Sequence, residues 1–345
     1  MLFLLYNEQY LIKRNNLEGH TALKFNYKTN PNFFIYNYTC EPNESSLCDL
    51  EKRSIFGIQT NERCFESTIN FTPSRSPFIR ERIDVILKAS DFQDLIEQVK
   101  KLPLSDETYK VKYVHNVDHT DAEKASFKKR RQLEREVGVQ VPGEPDLIEP
   151  DVTYGLLHLN NHWYFGYYNK SEAVWLHHQN KPNSYSVALN TRVARSVVNI
   201  AVPQADPTRV KAIDPCCGVG TVLVEALSMN INIVGSDINH FILPSARENI
   251  AHFGYQTSIL KKDIRDIKEH YNVAIIDLPY NLCSVITPKE QLEMLQSTFQ
   301  FAPKLVILTV EPIDHILKQA GFTIVDRGEV TKGSFRREII VAVGR

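Results

Sequence analysis

The chain has 345 residues but only six cysteines: Cys40, Cys48, Cys64, Cys216, Cys217 and Cys283. They form no Cys-x-x-Cys pair and have no histidine at zinc-ligand spacing, so no metal is expected. Thiols without a pairing framework fit a reducing compartment, and the expected location is the cytoplasm. Net charge is nearly absent, at −1. A nucleic-acid partner must then be held by a local basic patch, not by the overall field. No apolar run approaches the ~20 residues of a membrane span, so no membrane partner is expected. The opening MLFLLYNEQY has no basic stretch before its apolar run and no small-residue cleavage site after it, and is not read as a signal peptide. Internal repeats are lacking too. The length suggests about two or three domains.

In the first half, NFFIYNYTC reads as a strand and the run to Phe56 as a helix stopped by Gly57. RIDVILKA and YKVKYVH read as strands, with the helix SDFQDLIEQVKKL between them. Strand–helix–strand units of this kind indicate a small α+β layer. DAEKASFKKRRQLEREVG is helical and basic; Lys128, Lys129, Arg130 and Arg131 are the candidate phosphate contacts, against the plainer reading of a solvated charged face. Two alternating strands follow, joined by an Asn160–Asn161 turn. The polar stretch 177–186 reads as linker, with His177 and His178 exposed and inert.

Beyond it the pattern changes to alternating strands and helices. The strands are uniformly apolar, which indicates a parallel sheet covered on both faces. Two final strands without a helix between them indicate an antiparallel edge hairpin.

The stretch VKAIDPCCGVGTVLVEALSMNINIVGSDIN holds the first site. Asp214 ends an apolar strand, where ligands bind in open parallel sheets. Gly218 and Gly220 allow a tight turn, and Thr221 opens a helix whose amides favour an anionic group. Asp237 ends the next strand, placed for the two hydroxyls of a ribose, and Asp263 is placed for an adenine amine. A dinucleotide fingerprint would need glycine where Leu223 stands, and a buried acid suits an ammonium better than a pyrophosphate. S-adenosylmethionine carries an ammonium, a carboxylate, a ribose and an adenine, and each has a partner here. Cys216, Ile238 and Ile264 are counted with these cofactor contacts, although Cys216 and Cys217 read first as small packing residues.

The fourth core strand ends IIDLPY. An exocyclic base amine is a poor nucleophile because its lone pair is delocalised into the ring. The Asp277 carboxylate and Leu278 carbonyl can align its hydrogens and draw off the developing charge. Pro279 stiffens the turn and Tyr280 can stack on a flipped base. The competing reading is a strand-terminating proline turn.

Together DPCCGVGT, GSDIN and DLPY resemble the amino-methyltransferases of the Rossmann-like class, whose last motif is Asp/Asn-Pro-Pro-aromatic. Leu278 departs from it at the first proline and keeps the backbone carbonyl. FKKRRQLEREVGVQVPGEPDLIEPDVTYGLLHL looks like a THUMP RNA-binding domain, and YNYTCEPNESSLCDLEKRSIFG like the ferredoxin-like domain before it in bacterial members. The nearest resemblance is to the THUMP-containing tRNA guanine-N2 methyltransferases acting at tRNA position 10. It covers about residues 32–345. It implies an α/β chain: a ferredoxin-like domain over 1–75, THUMP over 76–170, a linker over 171–188, and a Rossmann-like domain over 189–345. The last has seven strands, six parallel-type and one antiparallel at the edge. It implies tRNA as partner and S-adenosylmethionine as cofactor, with Asn190 and Thr191 in a loop covering it.

Three other readings stay open: guanine-N2 methylation of ribosomal RNA, amino methylation of adenine in DNA, and a non-catalytic RNA-binding protein with the same fold. The THUMP-like half argues against DNA. A cytosine-C5 mechanism needs a cysteine in the proline loop, and Cys283 lies three residues past Tyr280. A homodimer and a helper subunit are both left open by the sequence.

Overall fold

The computed structural model describes residues 33–120, 124–184, 188–279, 286–332 and 335–344. Residues from Phe33 onward form one compact unit. Its first part comprises β1 (Phe34–Tyr38), α1 (Ser45–Phe56), β2 (Cys64–Ser67), β3 (Ile79–Ala89), α2 (Phe92–Val99), β4 (Tyr109–Tyr113), α3 (Phe127–Gly138), β5 (Val152–Leu159) and β6 (His162–Lys170). The six strands make one sheet in the order β2-β1-β3-β6-β5-β4. β4 and β5 are parallel and the other neighbours antiparallel. Because β1 pairs with both β2 and β3, this sheet runs across the boundary expected between residues 75 and 76. The expected Asn160–Asn161 turn is present, with φ of 50° and 59°, the left-handed pair a two-residue hairpin needs.

The second part follows α4 (Val174–His178) and α5 (Thr191–Ala201). It contains β7 (Lys211–Asp214), α6 (Thr221–Ser228), β8 (Asn232–Asp237), α7 (Leu243–His252), β9 (Ile259–Lys261), β10 (Val273–Asp277), α8 (Pro288–Phe301), β11 (Lys304–Thr309), α9 (Asp314–Gln319), β12 (Thr323–Lys332) and β13 (Phe335–Val343). The seven strands are ordered β12-β13-β11-β10-β7-β8-β9. β9, β8, β7, β10 and β11 are mutually parallel, and β13 is antiparallel to both its neighbours. The terminal hairpin is therefore as expected, with one correction. The reversed strand is not the edge strand but the one inside it. Burial explains the order: Ile339, Ile340, Val341 and Ala342 are all buried, whereas β12 alternates with exposed positions and tolerates the rim.

In the stretch expected as linker, His177 is exposed as expected, but the expectation of an exposed His178 is corrected. His178 is 3% exposed, and its Nδ1 lies 2.8 Å from the Glu225 carboxylate of α6. Arg195 of α5 donates to the other Glu225 oxygen at 2.7 Å and to the Ser74 carbonyl at 2.7 Å. A fully buried carboxylate needs such partners, and they draw α4 onto the second sheet's helices.

The two sheets are joined by a second buried acid. Glu51 of α1 accepts from Ser76 Oγ at 2.6 Å and from Asn199 Nδ2 of α5 at 2.8 Å. The carbonyls ending α5 are capped by Arg75, at 2.9 Å on Val202, and by Lys304, at 2.7 Å on Ile200. Burial pushes Glu51 from its ordinary 4.5 up to about 7, against the two hydrogen bonds. The folded protein thus holds a proton between these values that the unfolded chain releases, so this group's contribution to stability falls as pH rises through the window. Glu51→Gln should flatten that slope, by about 2–4 kcal/mol across it. Denaturant titrations of both proteins at several pH values check this; parallel curves would place the proton elsewhere.

Candidate active site

β8, β7 and β10 are adjacent and end in Asp237, Asp214 and Asp277. β7 is the first strand of this sheet in the chain, and the order reverses beside it, so the three carboxylates ring a topological switch point. They line a cavity of about 500 Å³ with Cys216, Gly218, Thr221, Ile238, Asp263, Ile264, Leu278 and Pro279.

Each acid is held differently. Asp237 bridges two turns, accepting from the Gly218 and Asn239 amides at 2.9 Å each. Gly218 has φ of 52°, which lets its amide face that carboxylate. Asp214 is 3% exposed and accepts from the Cys216 amide at 3.2 Å. Burial holds its proton affinity well above the ordinary range, and Asp237 and Asp277 push it the same way. A cationic ligand would reverse that preference. Asp263 caps a short turn and is locked to Arg265, whose Nη2 lies 2.6 Å from Oδ2; that hydrogen bonding lowers its proton affinity. Asp277 is raised to about 6 by burial, opposed by Arg337. Its Oδ1 is buried without a hydrogen-bond partner among the described residues.

The other candidates divide. The Cys216 and Cys217 thiols are driven up by burial and by the neighbouring aspartates, so neither is a nucleophile at neutral pH. Gly220 does not line the cavity; it begins α6 with φ of 80°, and a Cβ there would sit 3.5 Å from Ala246 of α7. Asn190 turns away to cap α5, accepting from the Arg192 amide at 2.8 Å, and Thr191 is buried beside it. The wall at that point is formed by Ala188 and Leu189 instead. Tyr280 and Cys283 lie outside the described residues.

Sequence reasoning missed Ile242, Glu290, Met294 and Arg265 in the cavity wall, and Arg337 behind Asp277. Only Glu290 carried a signal, the Thr287–Glu290 capping box that starts α8. On α3, Leu133 and Val137 anchor one face, while Lys128, Lys129 and Arg131 are exposed and Arg130 is half-buried. Arg131 pairs with Glu134 at 2.9 Å.

Residues 179–306 match the family model described as UPF0020, RMKL-like, methyltransferase domain. A tRNA (guanine(10)-N2)-dimethyltransferase of Methanothermobacter thermautotrophicus is 31% identical over 122 residues, 34% of this chain and 35% of that protein. One of Pyrococcus abyssi with the same name is 33% identical over 92 residues, 26% of each chain. The chain thus matches about a third or less of the length of these relatives. Among solved structures, TrmN from Thermus thermophilus aligns over 91% of this chain and 100% of its own, at 16% identity and a TM-score of 0.46.

Asp277 should titrate at about 6 in the ligand-free protein. Infrared difference spectra of wild type against Asp277→Asn isolate its carboxyl band. A midpoint near 4 would mean the site is wetter than its packing implies.

Proposed function

We propose that the protein is an S-adenosylmethionine-dependent methyltransferase forming N2-methylguanosine in tRNA, at position 10. The observation that carries the chemistry is the Asp277 Oδ1 atom: a buried carboxylate oxygen with no hydrogen-bond partner among the described residues, in a residue that lines the cavity with Leu278, Pro279, Asp214 and Asp237. The choice of tRNA and of guanosine 10 is supported by the names of the two archaeal relatives.

The cavity suits the cofactor. Its acids, Asp214 and Asp237, match an ammonium and a ribose diol, and Ile238 and Ile264 offer apolar walls for a flat ring. Asp263 is engaged by Arg265, and its carboxylate can still accept from an adenine amine through a second lone pair. When bound, S-adenosylmethionine would supply an electrophilic methyl group.

The chain's own residues then act on the base. Asp277 accepts one hydrogen of the guanine amine and the Leu278 carbonyl accepts the other. This turns the nitrogen lone pair towards the cavity. As positive charge develops on nitrogen, the carboxylate stabilises it and takes the proton. Catalysis requires Asp277 ionised, so the rate should rise as pH rises through about 6. Tyr280 is the proposed stacking residue for the flipped base. The first sheet and α3 are proposed as the RNA-holding part, the ferredoxin-like and THUMP region of the resemblance.

Incubation with labelled cofactor and unmodified tRNA, followed by nucleoside and position mapping, tests the whole reading; label on another base or on no RNA refutes it. Asp277→Ala should keep cofactor and tRNA binding but lose methyl transfer by several orders of magnitude, because the carboxylate matters most in the transition state. Wild-type rates from that variant would make the DLPY turn structural.

Replacing Lys128, Lys129 and Arg131 together by Ala should weaken tRNA binding and flatten its salt dependence, since fewer counterions are released. An unchanged affinity and salt slope would leave α3 as a solvated face.

A further inference from the structure

β13 carries Arg337, which is 6% exposed. The strand register explains how it reaches the site. Asp277 of β10 is level with Leu308 of β11, and Leu308 is level with Ile339 of β13. Level residues share a face of the sheet, and so does the residue two positions away. β13 runs backwards, so Arg337 lies beyond the end of β11, at the height of the cavity. Its Nη2 is 3.8 Å from Asp277 Oδ2.

The other groups around the cavity do not supply this charge. Asp214 from β7 and Asp237 from β8 are acids. Glu290 of α8 is held by the Thr287 amide and hydroxyl at 2.8 Å each. Arg265 is committed to Asp263 and Glu293, and Asp263 is in turn occupied by it. The Cys216 thiol is neutral. Among the described residues, Arg337 is the cation that offsets the burial of Asp277.

We infer that Arg337 is a positioning residue: its guanidinium keeps Asp277 a carboxylate while leaving Oδ1 without a hydrogen-bond partner among the described residues, so the C-terminal hairpin sets the charge of the acceptor on β10. A guanidinium does not lose its proton in a protein, so the charge it provides is constant. The contact is long and falls on Oδ2. A two-pronged clamp at hydrogen-bond distance would engage both oxygens and leave neither for an amine. Here the charge is delivered and the accepting atom is spared. The charge relation stands on the geometry; its catalytic consequence rests on the function proposed above.

The test compares wild type with Arg337→Gln and Arg337→Lys, each checked for folding by thermal melting. The first readout needs neither cofactor nor RNA: the Asp277 carboxyl band in infrared difference spectra against the matching Asp277→Asn protein. In R337Q its midpoint should move above about 6 by about one pH unit or more, the usual scale for removing an opposite charge at this range. R337K should restore most of the difference. The second readout is the acid limb of kcat for methyl transfer, which should move with the band while KM for the cofactor stays put. A folded R337Q that titrates like wild type overturns the inference, and so does a folded R337K that titrates like R337Q. If R337Q does not fold, R337K decides: a midpoint near wild type supports the role, and a protonated Asp277 at pH 7 overturns it. An infrared shift without methylation of any RNA by wild type would sink the proposed function and leave the Arg337 assignment standing.

Discussion

Three carboxylates at the ends of adjacent strands must share one small cavity, and the rest of the second sheet is arranged around that constraint. Burial raises the proton affinity of Asp214 and Asp277, and for Asp214 the neighbouring Asp237 and Asp277 add to it. With Asp263 the cavity holds four acids, and the protein answers each separately. Asp237 is tied by two backbone amides, Asp263 by Arg265, and Asp277 by a guanidinium brought from another strand. Asp214 has a single amide and carries the largest unrelieved burden. A cation in the cavity would relieve it, which makes the site electrostatically selective before any shape is considered.

The same device, a buried acid satisfied by partners from different segments, holds the two sheets together. Glu225 collects His178, Arg195 and, through Arg195, the Ser74 carbonyl; Glu51 collects Ser76 and Asn199. Both clusters include α5, which leads directly into the cavity wall at Ala188 and Leu189. Any displacement of the first sheet would therefore have to break buried, charge-assisted hydrogen bonds. The half read as RNA-holding and the half read as catalytic share a rigid seam of polar contacts in place of a loose tether.

The elements legible in advance were those with strong local patterns. The strands ending in Asp214, Asp237 and Asp277 were readable because buried parallel strands are continuous apolar runs broken by an acid. Gly218 was readable because its turn needs a left-handed backbone. The expectation that His178 was exposed failed because the polar residues around it mask a side chain that is buried by groups far along the chain. Asn190 and Thr191 were expected at the cofactor, but local capping of α5 took the Asn190 side chain, and Ala188 and Leu189 line the cavity.

The sequence by itself determined which strand ends carry acids and which turn carries glycine, because both are set by neighbouring residues: an apolar run, a tight turn, a helix start. It also carries the DLPY motif, whose proposed chemistry needs only adjacent residues. The tertiary structure decided which cation stands beside Asp277. Asp277 and Arg337 are far apart in the chain, and nothing local relates them. They meet because β13 runs backwards between β11 and β12, and only that register lifts Arg337 to the height of the cavity. Periodicity reveals that a strand exists and which face is apolar; it does not reveal its neighbours, and electrostatics across a sheet depends on neighbours.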